Sequence, residues 1–183
     1  MEYSKDFIEK LHKGDRVTQR ALYESCSAKM HGVCLRYVGN ADIAQDVLHD
    51  GFVKVFTAIK TFRGEGSFEG WVRRIIVNTA LEYLRQRKDY LEVEIDAAKG
   101  NEDNNHYEGY DYSYFLGIVN ELPPQYRAVF NLYAIDEYSH SEISEMLDIS
   151  ESTSKSNYSR ARAILRSKLE QITDFKYEEF IQK

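Results

Sequence analysis

The sequence predicts an all-α protein of two small helical domains joined by a flexible acidic linker, and three observations carry that prediction. Apolar residues recur at spacings of three and four through most of the chain. Helix breakers fall mostly between those stretches, with only two prolines, Pro123 and Pro124, in 183 residues. Near the middle the periodicity stops, and the residues there are acidic and turn-forming.

A first long helix is expected over about residues 15–38, where Leu22, Cys26, Met30, Val33 and Tyr37 share one face. Gly39 and Asn40 end it. A second follows over about residues 42–61, with Ile43, Val47, Leu48, Phe52, Val55, Phe56 and Ile59 on its buried side. Gly64 and Gly66 break the chain before a third, over about residues 68–88, which opens with Phe68 and Trp71 and ends in the basic run 85–88. Residues 89–112 lose the pattern, and the stretch GNEDNN at 100–105 reads as linker. Periodicity resumes near Tyr114, and Pro123 and Pro124 suit a helix entry, where a missing N–H costs nothing. The expected domains are therefore residues 5–90 and 113–172, with a linker over 91–112 and a tail over 173–183. In that tail Tyr177, Phe180 and Ile181 add a last helical turn or fray.

Composition excludes several classes. Apolar runs such as Ile75, Ile76 and Val77 are far short of the roughly 20 residues that span a bilayer. Residues 1–7 carry Glu2 and Asp6 and have neither the basic nor the apolar region of a secretory signal, so the expected location is the cytoplasm. Cys26 and Cys34 lie eight apart in one helical stretch, about 12 Å of rise and too far for a disulfide, and read as reduced core thiols. The histidines at 12, 31, 49, 106 and 140 have no ligand spacing, and neither a metal nor a cofactor is expected. The net charge of −6 is local: residues 89–111 hold eight acids against Lys99, a net −7 that leaves the rest of the chain near +1.

The sharpest local signal is SHSEISEMLDISESTSKSNYSRARAILRSKL at residues 139–169, which has the pattern of a helix-turn-helix. Ser139 and Glu142 have the spacing of a capping box. Asp148 sits at the tight turn, where Asp tolerates the left-handed conformation better than most residues. Ile149 anchors that turn, and Ser150 can cap the next helix. On that helix Tyr158, Ala161 and Leu165 form a packing face, while Ser152, Lys155, Ser156, Ser159 and Arg160 form another. Lys155, Arg160, Arg162, Arg166 and Lys168 place five cations within 14 residues with no acid between them, which suits phosphate contacts beside base-edge contacts.

In the first domain, Asp42, Asp46 and Asp50 stand at i, i+4 and i+8. Such a like-charge row costs an isolated helix a few tenths of a kcal/mol per pair and usually answers to a basic partner. The loop FRGEGSF at 62–68 combines two glycines, for close backbone approach, with aromatic rims, a composition suited to an unstacked base. Arg74, Asn78 and Arg85 share a helix face, with Trp71 at its start and Arg87 and Lys88 beyond. There Asn can read a base edge while the arginines hold phosphates.

Residues 41–88, from ADIAQDVLHDGF through ALEYLRQRK, closely resemble the second conserved region of RNA polymerase sigma factors of the extracytoplasmic-function (ECF) family. Residues 122–169, from LPPQYRAVF through TSKSNYSRAR, resemble the family's fourth region. Order, spacing and linker match as well, so the resemblance covers roughly residues 5–170. It implies two partners, core RNA polymerase and promoter DNA, and no catalysis. It also implies that Asp42, Gln45, Asp46, His49, Asp50 and Phe52 dock on the coiled coil of the polymerase's largest subunit, Gln45 and Asp46 matching the family's most recognisable pair. Phe62, Arg63, Gly64, Phe68, Trp71, Arg74, Asn78 and Arg85 would open the minus-ten element and capture a flipped base. Ser152, Lys155, Ser156, Ser159, Arg160 and Arg162 would read the minus-thirty-five element. Members are commonly held inactive by an anti-sigma factor. Asp148 departs from the family's turn glycine, and Ser144 and Ser154 stand where Ala and a β-branched aliphatic residue are more usual.

The alternative is a helix-turn-helix regulator of another type, which accounts for residues 139–169 and leaves the aromatic loop and the basic third helix unexplained. An enzyme lacks its inventory here: there is no phosphate loop with an appended Lys and no nucleophile with a plausible base, and Glu65 and Glu69 near Arg63 read as solvated loop charges.

Overall fold

A computed structural model of the chain describes residues 3–86 and 112–181. Their regular structure is entirely helical, and the chain divides into two compact units, Met1–Arg87 and Lys88–Lys183. The expected linker lies outside the described residues except for its last member, Tyr112, which opens a helix; Arg87 and Lys88 lie outside them too.

The first unit begins with a helix the periodicity did not announce, α1 (Lys5–His12), capped by Ser4, whose hydroxyl accepts from the Phe7 N–H at 3.2 Å. Helix α2 (Arg16–Val38) starts at Asp15, whose carboxylate accepts from the Thr18 N–H at 2.9 Å, and stops at Gly39 in the left-handed conformation (φ 71°). The next residue, Asn40, caps α3 (Ala41–Ala58) through its side-chain oxygen. A 3-10 turn (Ile59–Thr61) closes α3, and after the glycine loop comes α4 (Phe68–Gln86).

Helices α2, α3 and α4 pack on one another around Leu22, Met30, Tyr37, Leu48, Val55, Ile76 and Leu81, all fully buried. Every residue assigned to the inner face of α2 is buried, as are five of the seven assigned to α3, with Ile43 and Phe56 half-buried. Both cysteines are free thiols in this core, and burial pushes the Cys34 thiol up to about 12.

In the second unit α5 (Tyr112–Asn120) leads to α6 (Pro124–Phe130), with Pro124 in the first turn as its missing N–H allows. The Arg127 guanidinium ties the two by donating to the Asn120 carbonyl at 2.6 Å. A π turn (Asn131–Ile135) extends α6, the Asp136 N–H reaching back to the Asn131 carbonyl. Then come α7 (His140–Leu147) and α8 (Glu151–Ile181). Ile118, Val119, Leu122, Phe130, Ala161 and Leu165 form the core. The tail expected from residue 173 onward has no separate backbone identity, because α8 continues through it to Ile181.

Two helical glycines are predicted to respond oppositely to alanine. A Cβ on Gly32 meets nothing within 4 Å, so Gly32→Ala should gain about 0.5–1 kcal/mol from helix propensity. A Cβ on Gly51 would lie 2.4 Å from Cδ1 of the buried Ile76, where overpacking of about 1–3 kcal/mol opposes the same gain. Urea unfolding of the two variants should therefore shift in opposite directions, or leave Gly51→Ala at best neutral.

Candidate polymerase and nucleic-acid interfaces

On α3 the inner face is committed to the core, so the outer face carries what remains. Asp42, Asp46, His49 and Asp50 are exposed there and Gln45 is half-buried. None of the three aspartates joins an ion pair among the described residues. His49 is held in place: its Nε2 lies 3.1 Å from Gln45 Nε2 and 3.4 Å from the Tyr23 hydroxyl, and its ring stacks on Tyr23. The sequence expectation for Phe52 needs correction. Its side chain is 3% exposed and packs edge-on against Tyr23, so it supports this face from beneath and is not on it. The residue missed is Val53, 64% exposed and one turn beyond His49, a bare apolar side chain just past the end of the acidic row. The signal lay in its position: it is an apolar residue on the polar side of the period.

The loop at 62–68 also differs from its expected form. Phe62 and Phe68 are not rims, since both are buried, their rings 5.0 Å apart, with Trp71 at 5.6 and 5.8 Å and Tyr3 against Phe68 at 5.2 Å. Four aromatics pack together, which takes Phe62 and Phe68 out of water and leaves Tyr3 and Trp71 half-buried at the margin of the cluster. The rings form the floor of the loop, and Arg63 and Gly64 its exposed surface. Gly64 and Gly66 have φ of 78° and 77° with open space where a Cβ would stand, so the backbone conformation, and not close packing, calls for glycine. On α4, Arg74 and Arg85 are exposed, Asn78 and Trp71 half-buried, all toward one side. Glu69 pairs with Lys29 across the unit, and the ammonium holds its carboxyl below the usual carboxylate range, which leaves it a structural ion pair.

In the second unit the helix-turn-helix is formed as its residues suggest. Ser139 and Glu142 make both bonds of the capping box, at 3.2 and 2.8 Å. Asp148 adopts the left-handed conformation (φ 53°, ψ 48°), and Ser150 accepts from the Thr153 N–H at 3.0 Å to start α8. Ser152, Lys155, Ser156, Ser159, Arg160 and Arg162 are all exposed on α8, opposite the buried Ser154, Asn157, Ala161 and Leu165. Lys155 bridges to Glu151 at 2.6 Å and keeps that carboxyl below its ordinary range. Arg160 reaches the Tyr126 hydroxyl at 3.4 Å, and Arg162 lies 5.8 Å from the Tyr158 ring centroid. Sequence reasoning missed the residues behind this face. His140 Nδ1 bonds Ser154 Oγ at 2.9 Å while its ring stacks on Tyr133, and burial, with Lys155 nearby, lowers its pKa. Ser154 could have been found as the member of the inner stripe that precedes Tyr158, Ala161 and Leu165.

No three His, Cys, Asp or Glu side chains among the described residues come together as a metal-ligand set, and no described helix is long and apolar enough to cross a membrane. The surfaces that remain are faces of helices: one acidic, two basic.

Comparison with known proteins accounts for that combination. The family model "Sigma-70 region 2" matches residues 22–90 and "Sigma-70, region 4" matches residues 112–165. The ECF RNA polymerase sigma-E factor of Haemophilus influenzae is 27% identical over 177 residues, spanning 89% of this chain and 93% of its own. The ECF sigma factor SigW of Bacillus subtilis is 29% identical over 182 residues, spanning 88% and 94%. Among solved structures, CnrH in complex with the cytosolic domain of CnrY aligns with a TM-score of 0.51 at 20% identity, over 90% of this chain and 96% of that one. The sigma factor RpoE of Bartonella quintana, in complex with the anti-sigma factor NepR, aligns with a TM-score of 0.55 at 18% identity, over 82% and 96%. With both regions matched in order along one chain, and relatives of the same kind aligned nearly end to end, the protein belongs to the ECF family of RNA polymerase sigma factors.

Proposed function

We propose that this alternative sigma factor divides its work among three helix faces: α3 binds core RNA polymerase, the 62–68 loop with α4 binds the minus-ten element, and α8 reads the minus-thirty-five element. One observation carries the reading: an acidic face without ion pairs and exposed basic faces occur in a single chain. An operator-binding regulator of another type needs the basic helix of the second unit and gives the acidic row no role. The polymerase contact is assigned to Asp42, Gln45, Asp46, His49 and Asp50, with Val53 as an apolar edge. The minus-ten contact is assigned to Arg63, Gly64, Trp71, Arg74, Asn78 and Arg85, the buried Phe62 and Phe68 holding the loop in shape. Ser152, Lys155, Ser156, Ser159, Arg160 and Arg162 are assigned to the upstream element. The chain acts in the cytoplasm as a specificity subunit without catalysis of its own, and an anti-sigma factor is a further partner. The boundaries proposed for the working domains are residues 5–90 and 113–172.

In vitro transcription with core polymerase over a promoter library tests the whole. Asp46→Arg should weaken core binding by about tenfold or more, because a cation is set against a basic surface, with the helical circular dichroism unchanged. Unaltered core affinity would remove α3 from the interface. Arg160→Ala and Lys155→Ala should each cost about 1–3 kcal/mol on promoters that retain the preferred upstream base and little on those that lack it. An equal loss on every sequence would make both residues phosphate holders and shift base reading to Ser156 or Ser159.

A further inference from the structure

Reading bases requires that α8 be fixed not only in position but in rotation about its own axis, since a small turn exchanges the side chains that face the groove. Its inner face offers apolar contacts at Ala161 and Leu165, which resist separation more than rotation. One directional contact is present nearer the reading residues. Ser154, fully buried and adjacent to Lys155, bonds through its hydroxyl to His140 Nδ1 at 2.9 Å, joining the inner face of α8 to the first residue of α7.

The imidazole is itself held on several sides. It stacks on Tyr133 with centroids 4.3 Å apart and planes at 12°, and meets Tyr158 edge-on at 5.9 Å, while Tyr133 also packs on Tyr158 at 4.5 Å. Tyr133 comes from the π turn, and the capping box fixes the backbone at Ser139, immediately before His140. Three segments thus converge on one hydrogen bond, behind the face that carries Ser152, Lys155 and Ser156.

We propose that His140 and Ser154, with Tyr133 as the stacking support, are positioning residues that set the rotation of the recognition helix and so decide which side chains meet base edges. The inference rests on the promoter-recognition reading above. A rotated α8 would part the two groups and leave the buried Ser154 hydroxyl without this partner, which is why rotation is disfavoured.

The test uses the full chain with core polymerase on promoters that differ only in the upstream element. Ser154→Ala and His140→Phe each remove the bond, the second keeping an aromatic ring, whereas His140→Asn keeps a polar atom near the Nδ1 position. The wild-type chain and His140→Asn should rank the promoters alike. Ser154→Ala and His140→Phe should compress that ranking by about tenfold, the size of a lost base contact, with core affinity and circular dichroism unchanged. A wild-type ranking in Ser154→Ala, or a loss uniform over all promoters, overturns the proposal. So does an Asn variant that behaves like the Phe variant, since stacking alone would then be at work. Should Ser154→Ala unfold, His140→Phe at its half-buried position decides the same question. A wild-type chain that ranks no upstream sequences sinks the promoter-recognition reading instead, and this inference with it.

Discussion

Each long helix here must divide its circumference between a face that packs and a face left in water, and both units depend on that division. Helices as short as α6 and α7 are marginal in water by themselves, because nucleation costs more than one or two turns return. They persist by packing on α8, whose inner stripe of Ser154, Asn157, Ala161 and Leu165 is buried. That burial leaves the opposite stripe in water. Hence the exposed residues of α8 need no separate scaffold: the packing that stabilises the unit is what presents them. In the first unit α3 stands in the same relation to α2 and α4, with Gly51 admitting Ile76 on one side and the acidic row facing out on the other.

The acidic row is tolerated for local reasons. Asp42 lies in the first turn of α3, where the helix dipole favours an anion, and Asn40 supplies the cap. Asp46 and Asp50 lie farther along and gain less, so the row as a whole sets like charges a turn apart at a cost of a few tenths of a kcal/mol per pair. Against the roughly 5–15 kcal/mol that separates a folded domain from its unfolded chain, that cost is small. A fold can carry such a face without visible strain, and the only way to neutralise it is from outside.

What was legible in the sequence was whatever follows a period or a cap. The inner residues of α2 and α3, the stop at Gly39, the capping box at Ser139 and the left-handed Asp148 are each specified by residues within a turn of one another. The loop at 62–68 has no period, so nothing local says whether Phe62 and Phe68 face in or out, and contact with Tyr3, from the far end of the unit's sequence, settles it. Phe52 was read as an inner residue by its spacing and as a contact by the family resemblance, and its burial agrees with the spacing. Helix α1 was missed because its eight residues bury only Leu11 completely, too little apolar repetition to register, although Ser4 and Asp6 mark its start. The π turn and the His140–Ser154 bond depend on segments brought together only by folding.

The cations of α8 show how a recognition face can be ordered without being blocked. Lys155 rests on Glu151, Arg160 on the Tyr126 hydroxyl and Arg162 against the Tyr158 ring, so each is directed before any partner arrives. Exposed contacts of this kind are among the weakest in proteins, whereas a phosphate or a base edge offers a charged or bidentate acceptor. Exchange of one for the other is therefore favourable, and the side chains lose less conformational freedom on binding because they were already partly ordered. The His140–Ser154 bond does not exchange in this way: the Ser154 hydroxyl is fully buried behind the face, out of reach of water. The second unit thus combines a fixed helix axis with replaceable surface contacts, the combination that the proposed role of α8 requires.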